Sequence, residues 1–400
     1  MMDFQAYWLL VIPVFFGLGW LAARVDIRHL LSESRALPAS YFKGLNFLLN
    51  EQTDKAIESF IEVAQTDQQS VELQFALGGL FRRRGEVDRA TKMHQSLLDR
   101  SDLTPQQTTQ ALHELAEDYL KAGFYDRAEA LFIELKKTAL SDVAIRSLLD
   151  IYVTEKEWLK AIDTAQELGG NNSDMGSKEI AHFYCELALI EYSRSNFEAA
   201  KKQLEEALLW NKKCVRAYII QGQWAKQNGE FEKAVEYWLY IEQQSPDYLF
   251  LIADSFMETM KQLNRLDEAI LLLRGWVERF PTLDLLSTLF KSLLESRGGE
   301  VAYQSIKEEF TRNPSLGSLD KYLEAQLVTV APELRSDLQL IRDLVHQHNV
   351  KTSYYQCHTC GFKAKTYFWH CPACAGWDTY PPKRNSDSDS DNQSHTKLSM

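Results

Sequence analysis

The chain has 400 residues, 45% of them hydrophobic and 12% aromatic, which supplies core material for two or three domains and excludes a disordered protein. Its formal net charge of −12 excludes nucleic acid as the main partner, because phosphate binding is dominated by Lys and Arg. Four of the six cysteines are bunched near the C-terminus, while Cys185 and Cys214 stand alone inside helical patterns, where core packing is expected. Free thiols and a thiolate cluster together suit a reducing compartment.

From Phe4 to Ala23 the sequence carries no formal charge, and about 20 such residues suffice to cross a bilayer as a helix. Tyr7, Trp8 and Trp20 sit near the two ends as interface aromatics, and Pro13, Gly17 and Gly19 are tolerated in a membrane helix. Asp3 stands where a cleaved signal peptide wants a basic residue. Residues 1–25 are therefore expected to be a transmembrane anchor. Arg24, Arg28 and Arg35 follow it, so positive-inside logic gives a single-pass protein with a very short N-terminus outside and the bulk in the cytoplasm. Residues 26–36 form a polar connector.

Residues 37–316 carry a repeat, seen most clearly in Val215 to Pro246. Tyr218, Gly222 and Ala225 share one face of a first helix, Asn228-Gly229 makes a tight turn, and Ala234, Trp238 and Ile241 form the inner stripe of a second helix ended by Pro246. Antiparallel helices approach closely only where small residues sit at the crossing. Gly222 is thus expected to face Ala234, with Tyr218 and Trp238 filling the space beside them. An alanine recurs at the same place, at Ala56, Ala90, Ala128, Ala161, Ala200, Ala234, Ala269 and Ala302, with spacings of 34, 38, 33, 39, 34, 35 and 33. The two longer spacings hold turn-like insertions at 102–105 and 169–173.

This pattern resembles the tetratricopeptide repeat, a helix-turn-helix unit of about 34 residues, in about eight copies. Gly44/Phe47/Ala56/Phe60, Leu77/Gly78/Ala90, Ala116/Tyr119/Ala128/Phe132 and Tyr152/Ala161 stand at its signature places. The fold expected is an all-α solenoid in which each repeat is held by its neighbours and an inner surface is left for partners. The carboxylate clamp by which such repeats grip chaperone tails is missing, since Tyr41 and Leu45 hold the places of its Lys and Asn. Arg82-Arg83-Arg84 reads as a solvated helix end. Residues 317–350 read as two capping helices separated at Pro332; His346 and His348 near their end are polar helix-end residues, because i,i+2 side chains point apart.

No catalytic signature survives inspection, and no enzyme is expected. His113-Glu114 begins like a zinc-protease motif, but Glu117 holds the place of the second histidine. Phosphate-cradling glycine loops and a serine nucleophile elbow are absent from the sequence. The Ser/Asp-rich tail, 383–400, is expected to be disordered.

The most specific signal lies within 354–382, where Cys357-x-x-Cys360 and Cys371-x-x-Cys374 form two knuckles ten residues apart. Each knuckle turns so that two thiolates meet one metal, and two knuckles complete a tetrahedral site closed to substrate. Gly361 permits the turn after Cys360. Phe362, Tyr367, Phe368, Trp369 and Trp377 are expected to form a small aromatic core that the metal helps to order. Zinc and iron both suit four thiolates. The Cys-Pro-x-Cys knuckle resembles rubredoxin's, although Ala375 stands where rubredoxin usually has glycine.

An N-terminal anchor, an acidic tetratricopeptide array and a C-terminal C-x-x-C-G-F … W-H-C-P-x-C module together resemble the lipopolysaccharide assembly protein B family of Gram-negative bacteria. Residues 44–49 (GLNFLL), 84–90 (RGEVDRA), 181–189 (AHFYCELAL) and 369–372 (WHCP) carry the resemblance, which reaches all but the tail. It implies a protein of the inner membrane, facing the cytoplasm, that restrains lipopolysaccharide (lipid A) synthesis. By that resemblance its partners are the protease FtsH, the deacetylase LpxC, whose degradation it promotes, and other lipopolysaccharide synthesis or transport proteins. The family's module is rubredoxin-like, which favours iron over zinc. Two other functions fit the residues alone: a rubredoxin-like electron-transfer protein and a general tetratricopeptide co-chaperone. The sequence does not set the oligomeric state.

Overall fold

The computed structural model describes residues 43–380 apart from 45, 48, 51, 67–70, 170–173, 282–283 and 353. The expected anchor and the tail lie outside this range. Among the described residues no helix is long and apolar enough to cross a membrane. The chain divides into two compact units at Glu155/Lys156.

The first unit holds α1 (Thr53–Thr66), α2 (Val71–Arg84), α3 (Val87–Leu98), α4 (Pro105–Ala122), α5 (Tyr125–Leu135) and α6 (Ser141–Glu155), each packed on the next. The second holds α7 (Trp158–Gly169), α8 (Asp174–Ser193), α9 (Phe197–Trp210), α10 (Val215–Gln227), α11 (Phe231–Gln244) and a 3-10 turn (Pro246–Leu251). It continues through α12 (Ala253–Gln262), α13 (Leu266–Arg279), α14 (Leu286–Arg297), α15 (Gly299–Arg312), α16 (Leu316–Thr329) and α17 (Pro332–Thr352). A hairpin of β1 (Tyr355–Gln356) and β2 (Lys363–Ala364) ends it. Besides packing on its neighbour in sequence, α2 touches α4, and α8 touches α10, as do α12 and α14, and α14 and α16; this is the stacking of repeats in which a helix meets its counterpart one period on.

All eight anchor alanines are 0% exposed. At three of the crossings they mark, a glycine lies against a ring of the facing helix. A Cβ on Gly222 would fall 2.2 Å from Trp238 Nε1, one on Gly78 would fall 2.3 Å from His94 Nε2, and one on Gly44 would fall 2.8 Å from the Phe60 ring. In each case a glycine receives the ring sixteen positions later, four beyond the anchor. Gly222 therefore faces Trp238, and the expected Gly222–Ala234 pairing is corrected: the alanine lets the helices close while the ring fills the glycine notch. Tyr218 leaves the crossing and stacks on Tyr240 at 5.5 Å.

The turn between the helices of a repeat has the same placement in six of the eight repeats. Gly85, Gly123, Lys156, Ser195, Gly229 and Asn264 have positive φ, and each stands five residues before an anchor alanine. The paired bonds Glu230 N–H to Ala225 O and Gly229 N–H to Lys226 O close α10 as a Schellman motif, and the same pair recurs after α2, α4, α8 and α12. Ion pairs tie one repeat to the next at about the same period, as in Lys226–Glu258, Lys261–Glu295, Arg265–Glu232 and Arg312–Glu278. Arg82 belongs to this set and is not a solvated helix end. It donates to Glu114 at 2.6 Å and to the fully buried Asp118 at 2.8 Å, and Asp118 also binds the buried His94. The Glu114 of the false protease motif is thereby a structural partner.

Candidate metal centre

The four knuckle cysteines meet at one point, every Sγ within 4.8 Å of the others. Cys357–Cys374 and Cys360–Cys371 stand at 3.7 Å. Four sulfurs bound at about 2.3 Å around one tetrahedral ion would be about 3.8 Å apart, so this donor set fits a single tetrathiolate-bound metal ion. Bound there, the ion supplies a fixed cross-link between two loops.

The two knuckles are near copies. Cys357 N–H donates to Phe362 O and Cys371 N–H to Gly376 O, while Gly361 N–H returns to Cys357 O and Ala375 N–H to Cys371 O, all within 2.8–3.0 Å. Gly361 and Ala375 occupy the same left-handed region, with φ of 76° and 55°. The alanine thus keeps the glycine's conformation at a cost in strain. Burial raises the Cys357 thiol, but hydrogen bonds from the Thr379 hydroxyl and the backbone N–H groups of Cys360 and Thr359 outweigh it and bring it down to about 6. Burial likewise opposes, and the N–H groups of Cys374 and Ala373 favour, the lowered thiol of Cys371. Both inner cysteines are shifted toward the thiolate, the form that binds metal.

The module's own core is small: Tyr355, Tyr380, Cys357 and Cys371. Phe362 and Phe368 are exposed, contrary to the expected aromatic core. Tyr367 packs on this core as expected and reaches Tyr248 and Phe250 beyond it, while Trp369 and Trp377 face the repeats. Trp377 lies between His182 of α8, at 5.0 Å and 18°, and His370 of its own loop, at 4.5 Å and 27°. Phe183 and Trp158 approach its edge, and the Arg216 guanidinium lies 5.6 Å from its centroid. Arg216 is held by Glu186 at 2.6 Å. His182 Nε2 donates to Asp378 Oδ2 at 2.7 Å, and Asp378 is itself at φ 51°, its N–H on Trp369 O. Trp369 stacks on Tyr248 at 5.4 Å and 9°, and Phe250 packs on Tyr355 and Tyr367. Burial pushes the Tyr248 hydroxyl up to about 12 and lowers His370, so both are neutral in the contact. The module is thereby seated on α8, α10 and the 3-10 turn by aromatic faces and one part-buried hydrogen bond.

Sequence reasoning brought the four cysteines together but missed this seat, because His182 and Asp378 are 196 residues apart. The available signal was the run of ring-bearing residues in α8 and the 3-10 turn. Cys185 and Cys214 are buried core thiols, 3.9 Å apart among alanines of α8, α9 and α10, close in sequence to His182 and Arg216 of the seat. His346 binds Asp320 at 2.8 Å and His348 is exposed, so the two do not converge.

Residues 355–382 match the family described as Rubredoxin metal binding domain, and residues 185–248 match Tetratricopeptide repeat. The chain is 35% identical to lipopolysaccharide assembly protein B of Escherichia coli strain K12, over 94% of this chain and 98% of that protein. It is 30% identical to the protein of the same name from Haemophilus influenzae, with the same coverage. Identity at this level along nearly the whole of both chains, in a chain that carries both the repeats and the thiolate knuckles, places this protein in the lipopolysaccharide assembly protein B family.

Proposed function

We propose that the chain is a membrane-tethered adaptor, its bulk on the cytoplasmic side of the inner membrane and its N-terminus periplasmic, that restrains lipid A synthesis. In this reading it promotes degradation of the LpxC deacetylase by FtsH, brings other assembly enzymes together, and carries out no chemistry itself. The observation that carries the proposal is the seat of the tetrathiolate module on the repeats. It uses His182, Arg216 and Tyr248 of the array, so one ion orders a composite surface suited to a protein partner and leaves no open coordination position for substrate. The ion proposed is iron, from the rubredoxin likeness of the module, and its role is structural.

Crosslinking in intact membranes followed by capture of the full chain tests this. Recovery of FtsH and LpxC from wild type, and loss of LpxC from a Cys374→Ser chain, is the expected result. Equal recovery of LpxC with both chains would remove the module from the mechanism, and recovery of neither partner would remove the proposal.

A further inference from the structure

Two thiols outside the metal centre stand at the level of the module's seat. Cys185 and Cys214 are free and buried, 29 residues apart in sequence, with their sulfurs 3.9 Å from each other. Cys185 stands inside α8, one turn after His182 and next to Glu186, and Cys214 is the residue before α10, two before Arg216. The pair therefore joins the same two helices as the Arg216–Glu186 ion pair, and the same two that hold Trp377. Its walls include Ala181, Ala188, Ala207 and Ala217, so nothing bulky separates the sulfurs. The two thiols differ in how firmly they are held. Cys185 is fixed by helix on both sides, whereas Cys214 ends the short turn 211–214, whose Lys212 and Lys213 are exposed. A hydrogen bond from the Cys185 thiol brings the Cys214 thiol down to about 7 against the effect of burial. The same contact, together with burial, raises Cys185.

We propose that Cys185 and Cys214 are a peroxide-sensitive pair whose disulfide clamps α8 to α10 and so holds the metal module on its seat. When the turn carrying Cys214 opens, the Cys214 thiolate attacks one oxygen of hydrogen peroxide and the O–O bond breaks. A sulfenic acid remains on Cys214, and the departing hydroxide takes up the thiol's proton and leaves as water. As the turn closes, the Cys185 sulfur attacks the sulfenic sulfur; the S–OH bond breaks, and a second water leaves with the Cys185 proton. Two thiols thus lose two electrons and two protons while one peroxide becomes two waters. The sulfurs need approach by only about 1.9 Å to reach a bonding distance of about 2.05 Å, a shift that the turn absorbs more readily than the helix. Closing this loop restricts the unseated chain more than the seated one, in which α8 and α10 already touch, so the seat opens less often. A small dithiol returns the pair to two thiols and becomes a disulfide itself, so in a reducing compartment the clamp is transient.

The test uses the full chain in a mild nonionic detergent, loaded with zinc, which has no redox chemistry of its own. After treatment with hydrogen peroxide, remaining thiols are blocked with N-ethylmaleimide under unfolding conditions and peptides are mapped by mass spectrometry. The expected product joins the peptide of Cys185 to that of Cys214, two hydrogens lighter than the two together, with one zinc still bound per chain, and dithiothreitol reverses it. In Cys185→Ala, with unchanged helical signal, dimedone should label Cys214 after peroxide, while in Cys214→Ala it should leave Cys185 unlabelled. Hydrogen exchange of 355–380 and of α8 around His182 should be about three- to tenfold slower in the oxidised wild-type chain than in the reduced one, and peroxide should change it in neither variant. Absence of the link in the wild type, loss of zinc before the link forms, or a link that leaves exchange in 355–380 unchanged or faster would overturn the proposal.

Discussion

Replacing Asp378 by alanine probes the seat of the metal module most cleanly, because the change removes one hydrogen bond and leaves the four cysteines in place. His182 keeps a side chain 2% exposed, and its Nδ1 already has no partner among the described residues. Without Asp378 both ring nitrogens are unsatisfied, and a buried polar group in that state costs about 1–3 kcal/mol. The Asp378 side chain is 32% exposed, so solvent screening places the loss in the lower half of that range, about 1–2 kcal/mol. At about 1.4 kcal/mol per tenfold, the seating equilibrium should weaken about 5- to 30-fold. Hydrogen exchange on the metal-loaded full chain reads this directly. Amides of 355–380 and those of α8 around His182 should exchange faster by that factor, while α2 and α4 of the first unit do not change. A His182→Ala, Asp378→Ala double variant no worse than the worse single variant would confirm that the two act as a pair. Unchanged exchange in 355–380, or acceleration spread over the entire chain, would refute the reasoning.

Gly222→Ala should drive the two helices of its repeat apart against Trp238 and lower stability by about 1–3 kcal/mol, seen in a thermal melt of the full chain; an unchanged melt would contradict the notch-and-ring packing. Ser195→Gly relieves a left-handed conformation that costs an L-residue about 1–2 kcal/mol, less the backbone entropy of glycine, and should stabilise by about 0.5–1 kcal/mol. Chemical denaturation checks the sign. Ala375→Gly removes the same strain beside the metal, and about 1 kcal/mol should slow loss of the ion to a chelator about fivefold. Cys374→Ser should unfold the module while the helical signal of the array persists, because ion binding supplies folding energy to so small a unit; retention of one ion per chain would contradict the ligand set.

The repeats were legible because solenoid packing forces a small residue to each helix crossing, and a constraint that recurs about every 34 residues prints itself on the chain. The anchors from Ala56 to Ala302 needed only to be counted. The metal centre was legible for a similar reason: ligand spacing within a knuckle is set by local backbone geometry. What escaped was long-range. Nothing near Arg82 in sequence reveals Asp118 on the next repeat, and a triple arginine at a helix end is ordinarily solvated. Trp369 and Trp377 looked like core for so small a module, since an isolated domain must bury its own rings; here the array buries them. Positive φ at Lys156 and Ser195 was hidden because the residue types do not signal it, although their place five before an anchor alanine does once the register is known.

The role proposed for the ordered module is to make the chain an adaptor for turnover of the committed enzyme of lipid A synthesis. The lifetime of LpxC after translation is stopped, in cells whose own copy is replaced by the full wild-type chain or by Cys374→Ser at equal abundance, tests it most directly. Rapid loss of LpxC with the wild type and persistence with Cys374→Ser is the predicted result, and equal lifetimes in the two strains would contradict it.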